Sequence, residues 1–308
     1  MLNQACNCPG IYLCSASLNP IRFSPSNNSI VMFDPTQFST AHWLLSPVAI
    51  FGRYALFALI GYLLFYVWNR RNWLYLKIQQ KFPQPTDYQR EIFYSALTSI
   101  IFGFVSWLFL GTPLVKYTLF YSDIHEYGIG WLLLSIPLTL VVHDTYFYWA
   151  HRWMHHPKWY RRVHLTHHKS VNPSPWAAYA FHPVEAVLEA GVIPVLLIIM
   201  PLHPISFFAF ITLMLVFNVY GHLGYELFSR KMYDHPVSRW INSSIHHNLH
   251  HEKFTGNYGL YFTFWDRVCG TLREDSTSKI DQIHQGIERE RSERSESVRG
   301  GREVRGER

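Results

Sequence analysis

Charge is scarce in this chain. Of its 308 residues 16% are Asp, Glu, Lys or Arg, against roughly a quarter in an average soluble domain, and that shortage argues against a surface that meets water on every side. Cysteine is scarcer still. There are four, with Cys6, Cys8 and Cys14 inside the first fourteen residues and Cys269 alone. That pattern excludes a disulfide framework and leaves Cys6 and Cys8 without the second pair that a cysteine zinc site needs. The start has no basic region followed by an apolar one, so residues 1–40, rich in Ser, Asn and Pro, are expected to be a disordered leader and no signal peptide. His-Glu-x-x-His is missing too: "HEYGI" at 125 and "HEKFT" at 251 both lack the second histidine, which weakens a zinc peptidase reading. No nucleic-acid motif accompanies the net charge of +6, so the basicity points to an anionic lipid surface and no nucleic-acid partner.

What is present is apolar: 49% hydrophobic residues, 17% of the chain aromatic. Runs at 46–68, 94–115 and 128–142, the last continuing into "HDTYFYWA", are each read as crossing a hydrocarbon core that needs about 20 residues. Arg53 in the first run must snorkel or find a partner. Residues 184–221 form two further apolar stretches joined at "PLHP", where Pro201 and Pro204 favour a turn. This predicts a helical hairpin that enters the bilayer and returns to the same side. The loop 69–90 carries Arg70, Arg71, Lys77, Lys81 and Arg90 against Asp87, whereas 121–127 carries Asp123 and Glu126 and no base. The first loop is therefore expected on the cytoplasmic side. Parity then puts 151–170, with five bases and no acid, and 222–275 on that face as well.

The expected fold is an all-α integral membrane protein: about three full transmembrane helices plus a helical membrane hairpin over residues 41–275, under a cytosolic helical cap. The tail 276–308 mixes Arg with Glu, lacks aromatics and is expected to be disordered.

Into this scaffold the chain sets eighteen histidines. His151 and His155 are four apart; His164, His167 and His168 stand at i, i+3, i+4; His247, His250 and His251 repeat that spacing. On a helix each set lies on one face and can aim several ring nitrogens at a common point. One His-x-x-x-His is common by chance, but eight histidines at ligand spacing on one side of the membrane point to a metal site. Eight imidazoles exceed what one four-coordinate zinc uses, so two ions are implied. Imidazole suits Fe, Zn, Cu and Ni alike. A pair of irons would add oxidation by O2, which zinc does not provide. Asp144, Glu185, Glu226 and Asp266 are the acids close enough in sequence to orient ligand histidines, and His143 is a candidate for a supporting role.

"HDTYFYWAHRWMHH", "HLTHH" and "HHNLHHEKFTGNYGLYFTFWDRVCGT" resemble the fatty acid hydroxylase and sterol desaturase superfamily of integral-membrane diiron oxygenases, over about residues 90–275. The resemblance implies a mostly helical membrane fold and two iron ions held by His151, His155, His164, His167, His168, His247, His250 and His251. It also implies O2 as oxidant and an external electron donor: a ferredoxin, a cytochrome b5-type protein or a reductase. His222, where the hairpin re-emerges, is favoured as a ninth ligand. His182, where it enters, is read equally as a ligand or as an interfacial residue. The expected chemistry is hydroxylation or desaturation of an aliphatic C–H of a sterol, fatty acyl or sphingoid lipid, in the bacterial inner or thylakoid membrane or the endoplasmic reticulum. The alternatives are a zinc-dependent membrane hydrolase or lyase on the same scaffold, and a metal transporter, which would place its ionisable ligands within the spans.

Overall fold

A computed structural model describes residues 38–306, so the expected leader lies outside the described residues except for its last three. Among them the regular structure is helical, with three isolated bridges and no strand. The long helices are α1 (Thr40–Tyr62), continued by a π-helical turn to Trp68, α2 (Pro85–Leu110), α3 (Gly128–Met154) and, later, α8 (Pro204–Gly221). All four are long and apolar enough to cross a membrane, and only 22–28% of each apolar window is buried within the protein. Leu44, Val48, Phe104, Leu133 and Phe208 are among the side chains left facing outward. A soluble protein does not tolerate so much exposed apolar surface, so lipid is the solvent of this belt and the chain is an integral membrane protein.

α1 and α2 cross closely because α2 offers Gly103 there: a Cβ on it would stand 2.8 Å from Pro47 of α1. Between α3 and α8 come α4 (Pro157–Val163), α5 (Leu165–His168), α6 (Pro183–Ala190) and α7 (Val192–Ile199). α6 and α7 form the descending arm of the expected hairpin, broken at Gly191, and α8 is the return. The tip reaches the α2–α3 loop, where the Leu119 N–H donates to Leu197 O at 2.7 Å and the Tyr121 N–H to Leu202 O at 3.1 Å. The hairpin thus runs the depth of the bundle and comes back to the end where α3 finishes.

At that end lie α9 (Arg230–Asp234), α10 (Ser244–Lys253), α11 (Phe264–Val268) and α12 (Asp275–Gly306). α12 replaces the disordered tail expected from residue 276. Its Ile280 and Ile283 are buried against Ile245 and Leu249 of α10 and against Ile78, with Ile287 beside them. Three isoleucines at i, i+3 and i+7 are too few to fold alone, but they complete a core that α10 has already half built. Lys77 also departs from expectation: it is buried, its Nζ donating to Gly224 O and lying near the Tyr66, Phe82 and Tyr225 rings, and so does not line the membrane surface.

Candidate metal centre

Nine histidines converge in two groups at this end of the bundle. His151, His155, His164, His168 and His250 form one; His167, His222, His247 and His251 form the other, and within each group the candidate ligand atoms lie within 4.8 Å of one another. His151 and His155 come from the end of α3, His164, His167 and His168 from α5 and the residue before it, His222 from the C-terminal cap of α8, and the rest from α10.

The spacing within α5 and α10 works differently from the sequence expectation. Residues i and i+4 join one group while residue i+3 joins the other: His164 and His168 against His167, His247 and His251 against His250. Two short helices wedged between the groups therefore feed both, and the i, i+3, i+4 pattern marks a shared wall between two sites.

The ring tautomers show what the groups await. The Nδ1 atoms of His151, His250, His222 and His251 face the carbonyl oxygens of Tyr258, Gly256, Asn218 and Ser170 at 2.7–3.0 Å, and Nδ1 of His164 faces Glu185 Oε1 at 2.6 Å. Carbonyl and carboxylate oxygens only accept, so Nδ1 carries the proton and Nε2 of each neutral ring presents a lone pair. Yet Nε2 of His151 and Nε2 of His164 face each other at 3.0 Å. Two lone pairs at that distance repel, and a cation between them removes the conflict. Further Nε2 pairs at 3.0–3.2 Å link His164 to His168, His168 to His250, His167 to His222, His222 to His247 and His247 to His251. His155 Nε2 is buried with no partner. Separations near 3.1 Å are those of neighbouring vertices around an ion whose bonds are about 2.1 Å long. The residues fit two metal ions.

Burial holds these imidazoles neutral. It lowers His164, His167, His168, His247, His250 and His251 far below the ordinary histidine range, neighbouring histidines adding to the effect, and lowers His222 from 6.5 to about 4. His246 goes to about 4, again through burial first. Between those values and 6.5 the unfolded chain binds protons that the folded chain refuses, so stability is complete above about 6.5 and is lost as the pH falls toward about 4. In chelator-treated protein the melting temperature is expected to fall steeply across that window, and a flat profile between pH 7 and pH 4.5 would refute the burial argument.

His182 belongs to neither group. It precedes Pro183, and its Nδ1 accepts the Val184 N–H at 3.3 Å, capping α6. The same use recurs at two other His-Pro pairs, where Nδ1 of His156 and His203 accepts from Lys158 and Ile205 at the starts of α4 and α8; His235 ends α9, and its Nδ1 accepts the Val237 N–H in the turn that follows. A histidine immediately before a proline at a helix start is thus a cap, a signal that the sequence offered.

Asp144 and Asp266 do not touch the histidines either. Asp144 Oδ1 accepts the N–H groups of Leu260, Tyr261 and Phe262; Asp266 accepts those of Tyr258 and Gly259 and the Thr271 hydroxyl. They shape the loop whose carbonyls orient His151 and His250. In that loop Gly259 is required, since a Cβ would stand 2.3 Å from Phe262 O. The acid that contacts a ligand candidate is Glu185, fully buried against His164. Glu226 accepts from the Tyr220 hydroxyl and from the Phe228 and Ile245 N–H groups, seating α10, and His143 Nδ1 pairs with the Tyr261 hydroxyl at 2.8 Å.

Comparison with known proteins gives the family of the chain. The family model for fatty acid hydroxylase matches residues 136–271. A Delta(7)-sterol 5(6)-desaturase of Aspergillus fumigatus is 32% identical over 266 residues, 79% of this chain and 78% of that protein. A Delta(7)-sterol 5(6)-desaturase of Gibberella zeae is 37% identical over 171 residues, 56% of this chain and 51% of that protein; the lathosterol oxidase of Mus musculus is 35% identical over 167 residues, 52% of this chain and 53% of that protein. The chain thus spans about half the length of these last two. No solved structure matches it. With its helical bundle, its paired histidine groups and these relatives, the chain belongs to the fatty acid hydroxylase and sterol desaturase superfamily.

Proposed function

We propose that the protein is an O2-dependent oxidoreductase that desaturates or hydroxylates an aliphatic C–H of a membrane sterol, using two irons, one in each histidine group. The observation that carries this reading is the pair of all-imidazole groups, nine rings of which five have Nε2 lone pairs fixed by an oxygen at Nδ1, set at the end of an apolar bundle. The relatives' names supply the sterol class. Iron held there supplies redox chemistry with O2 that removes hydrogen from an unactivated carbon.

The residues on the page prepare that chemistry. Glu185 and four backbone carbonyls hold five of the nine rings in one tautomer and one orientation, so that those ligand atoms face the ion sites in advance. Phe147 lies 5.0 Å from the His151 ring and Phe181 5.1 Å from that of His167, so an aromatic ring packs on each group. Desaturation takes two hydrogens from the lipid and, with two external electrons and two protons, leaves O2 as two waters. Hydroxylation places one oxygen in the lipid and one in water. Either requires an electron donor: a ferredoxin, a cytochrome b5-type protein or a reductase. Arg152, Lys158, Arg161, Arg162 and Lys169 around the site suit a cytoplasmic face and an acidic donor.

Detergent-purified protein is expected to carry about two irons per chain, one for each group, by mass spectrometry. Supplied with a reductant system and a Δ7-sterol, it should yield an oxidised sterol in air and none under argon. Stoichiometric zinc in anaerobically prepared protein, or turnover unchanged without O2, would overturn the proposal.

A further inference from the structure

Beneath the histidine groups, between α1, α2, α6, α7 and α8, runs a narrow cavity with largely apolar walls. Its upper end is closed by Phe147 and Phe181, each packed on a histidine of a different group, and by Asn218, whose carbonyl holds His222. Ser106, Phe207 and Ile211 are shared with a wider apolar hollow at the opposite end of the bundle, so the two spaces adjoin.

Two polar side chains line this cavity next to each other, Arg53 and Tyr179. Arg53 is the one Lys, Arg, Asp or Glu of α1. It stands thirteen residues from Thr40 and fifteen from Trp68, roughly 20 Å from either end of the helical span at 1.5 Å per residue. Among the described residues no carboxylate pairs with it; its Nε is buried without a partner, and its guanidinium rests 5.9 Å from the Phe208 ring. Tyr179 is 1% exposed, and its hydroxyl, beside Arg53, is also buried without a hydrogen bond of ordinary geometry. A cation within an apolar transmembrane span is costly and marks a binding function by default. Here it borders a cavity whose upper end is formed by Phe147 and Phe181, the two rings that separate it from the histidine groups, and it stands beside the Tyr179 hydroxyl. Glu189, on the α6 wall, lines the same cavity and makes no ion pair with Arg53.

We propose that Arg53 and Tyr179 form a clamp for the oxygen end of the lipid substrate, whose apolar body occupies the adjoining wider hollow of about 650 Å³, the cavity at Arg53, about 60 Å³, taking the oxygen end alone. The clamp offers donors and one hydroxyl, so it takes an acceptor oxygen at the end of an otherwise apolar molecule: the hydroxyl of a sterol or the carboxylate of a fatty acid. This rests on the lipid-oxidising reading above and adds to it the residues that choose the substrate and set which carbon faces the metals.

The test is equilibrium binding, independent of turnover. Iron-loaded protein in lipid nanodiscs is titrated with a radiolabelled 3-hydroxysterol and competed with its 3-deoxy analogue and with a long-chain fatty acid, for the wild type, Arg53→Met, Arg53→Lys and Tyr179→Phe. The wild type should prefer the hydroxysterol over the deoxy analogue by about tenfold to a hundredfold, the range for a hydrogen bond to a charged group. Arg53→Met should abolish that preference while leaving the affinity for the deoxy analogue unchanged. Tyr179→Phe should reduce the preference, and Arg53→Lys should restore part of it. If the fatty acid outcompetes the hydroxysterol and loses that advantage in Arg53→Met, the clamp stands and its ligand oxygen is a carboxylate. A preference that survives Arg53→Met, or equal loss of both sterols, overturns the clamp while sterol binding leaves the function standing. Binding of no lipid by iron-loaded wild type overturns both.

Discussion

His247→Ala removes one of the four imidazoles of its group, and iron is expected to fall from about two per chain to about one, with turnover at background. Its neighbour His246 provides the control. Both are buried on α10, but His246 Nδ1 faces the Ser243 N–H at 3.2 Å and the Ser243 hydroxyl at 3.0 Å as part of the helix cap. His246→Ala should keep both irons and lower stability by roughly 0.5–2 kcal/mol, the worth of a cap. Metal analysis and thermal unfolding of the two variants separate the roles. Equal iron loss from both would show that α10 responds as a unit and that the ligand assignment in this group is wrong.

Asp144→Ala should have the largest effect on stability of any single change outside the histidine groups. One carboxylate oxygen accepts three N–H groups, from Leu260, Tyr261 and Phe262, in a buried corner between α3 and the 256–263 loop. Alanine leaves all three without an acceptor, and each buried orphan costs about 1–3 kcal/mol before water enters. A net loss of roughly 3–5 kcal/mol is the expected scale for removing one partner of a buried charged network. The damage should spread to the metal, because the same loop supplies the carbonyls of Tyr258 and Gly256 that orient His151 and His250. Asp144→Asn retains an acceptor oxygen and should recover much of both losses. Chemical denaturation with parallel iron analysis reads the two consequences, and unchanged iron affinity in a destabilised Asp144→Ala would uncouple the loop from the metal group.

The sequence expressed some of this plainly and some of it not at all. The four long apolar runs translate into α1, α2, α3 and α8 because an apolar stretch of that length has few other places to go. The eight box histidines and His222 meet because helical spacing is local and the hairpin returns its end to the side where α3 ends. Glu185 was one of four acids near the boxes, and nothing local set it above Asp144 or Asp266. The His164 contact spans 21 residues and depends on how α6 turns in after the Pro175–Tyr179 turn. The tail was misjudged for a related reason: Ile280, Ile283 and Ile287 look too sparse for a helix until α10 supplies the facing surface. Arg53 showed only that it must snorkel or find a partner.

By itself, then, the sequence determined the apolar spans and the three histidine sets that converge at one end of the bundle, since hydropathy and helical spacing are read within one segment. Tertiary structure alone decided which histidine joins which group, which acid stands behind them and which polar groups line the cavity below. Those outcomes depend on the angle and depth at which α5, α6 and α10 pack against α3 and α8, and packing between segments distant in the chain leaves no periodicity to read.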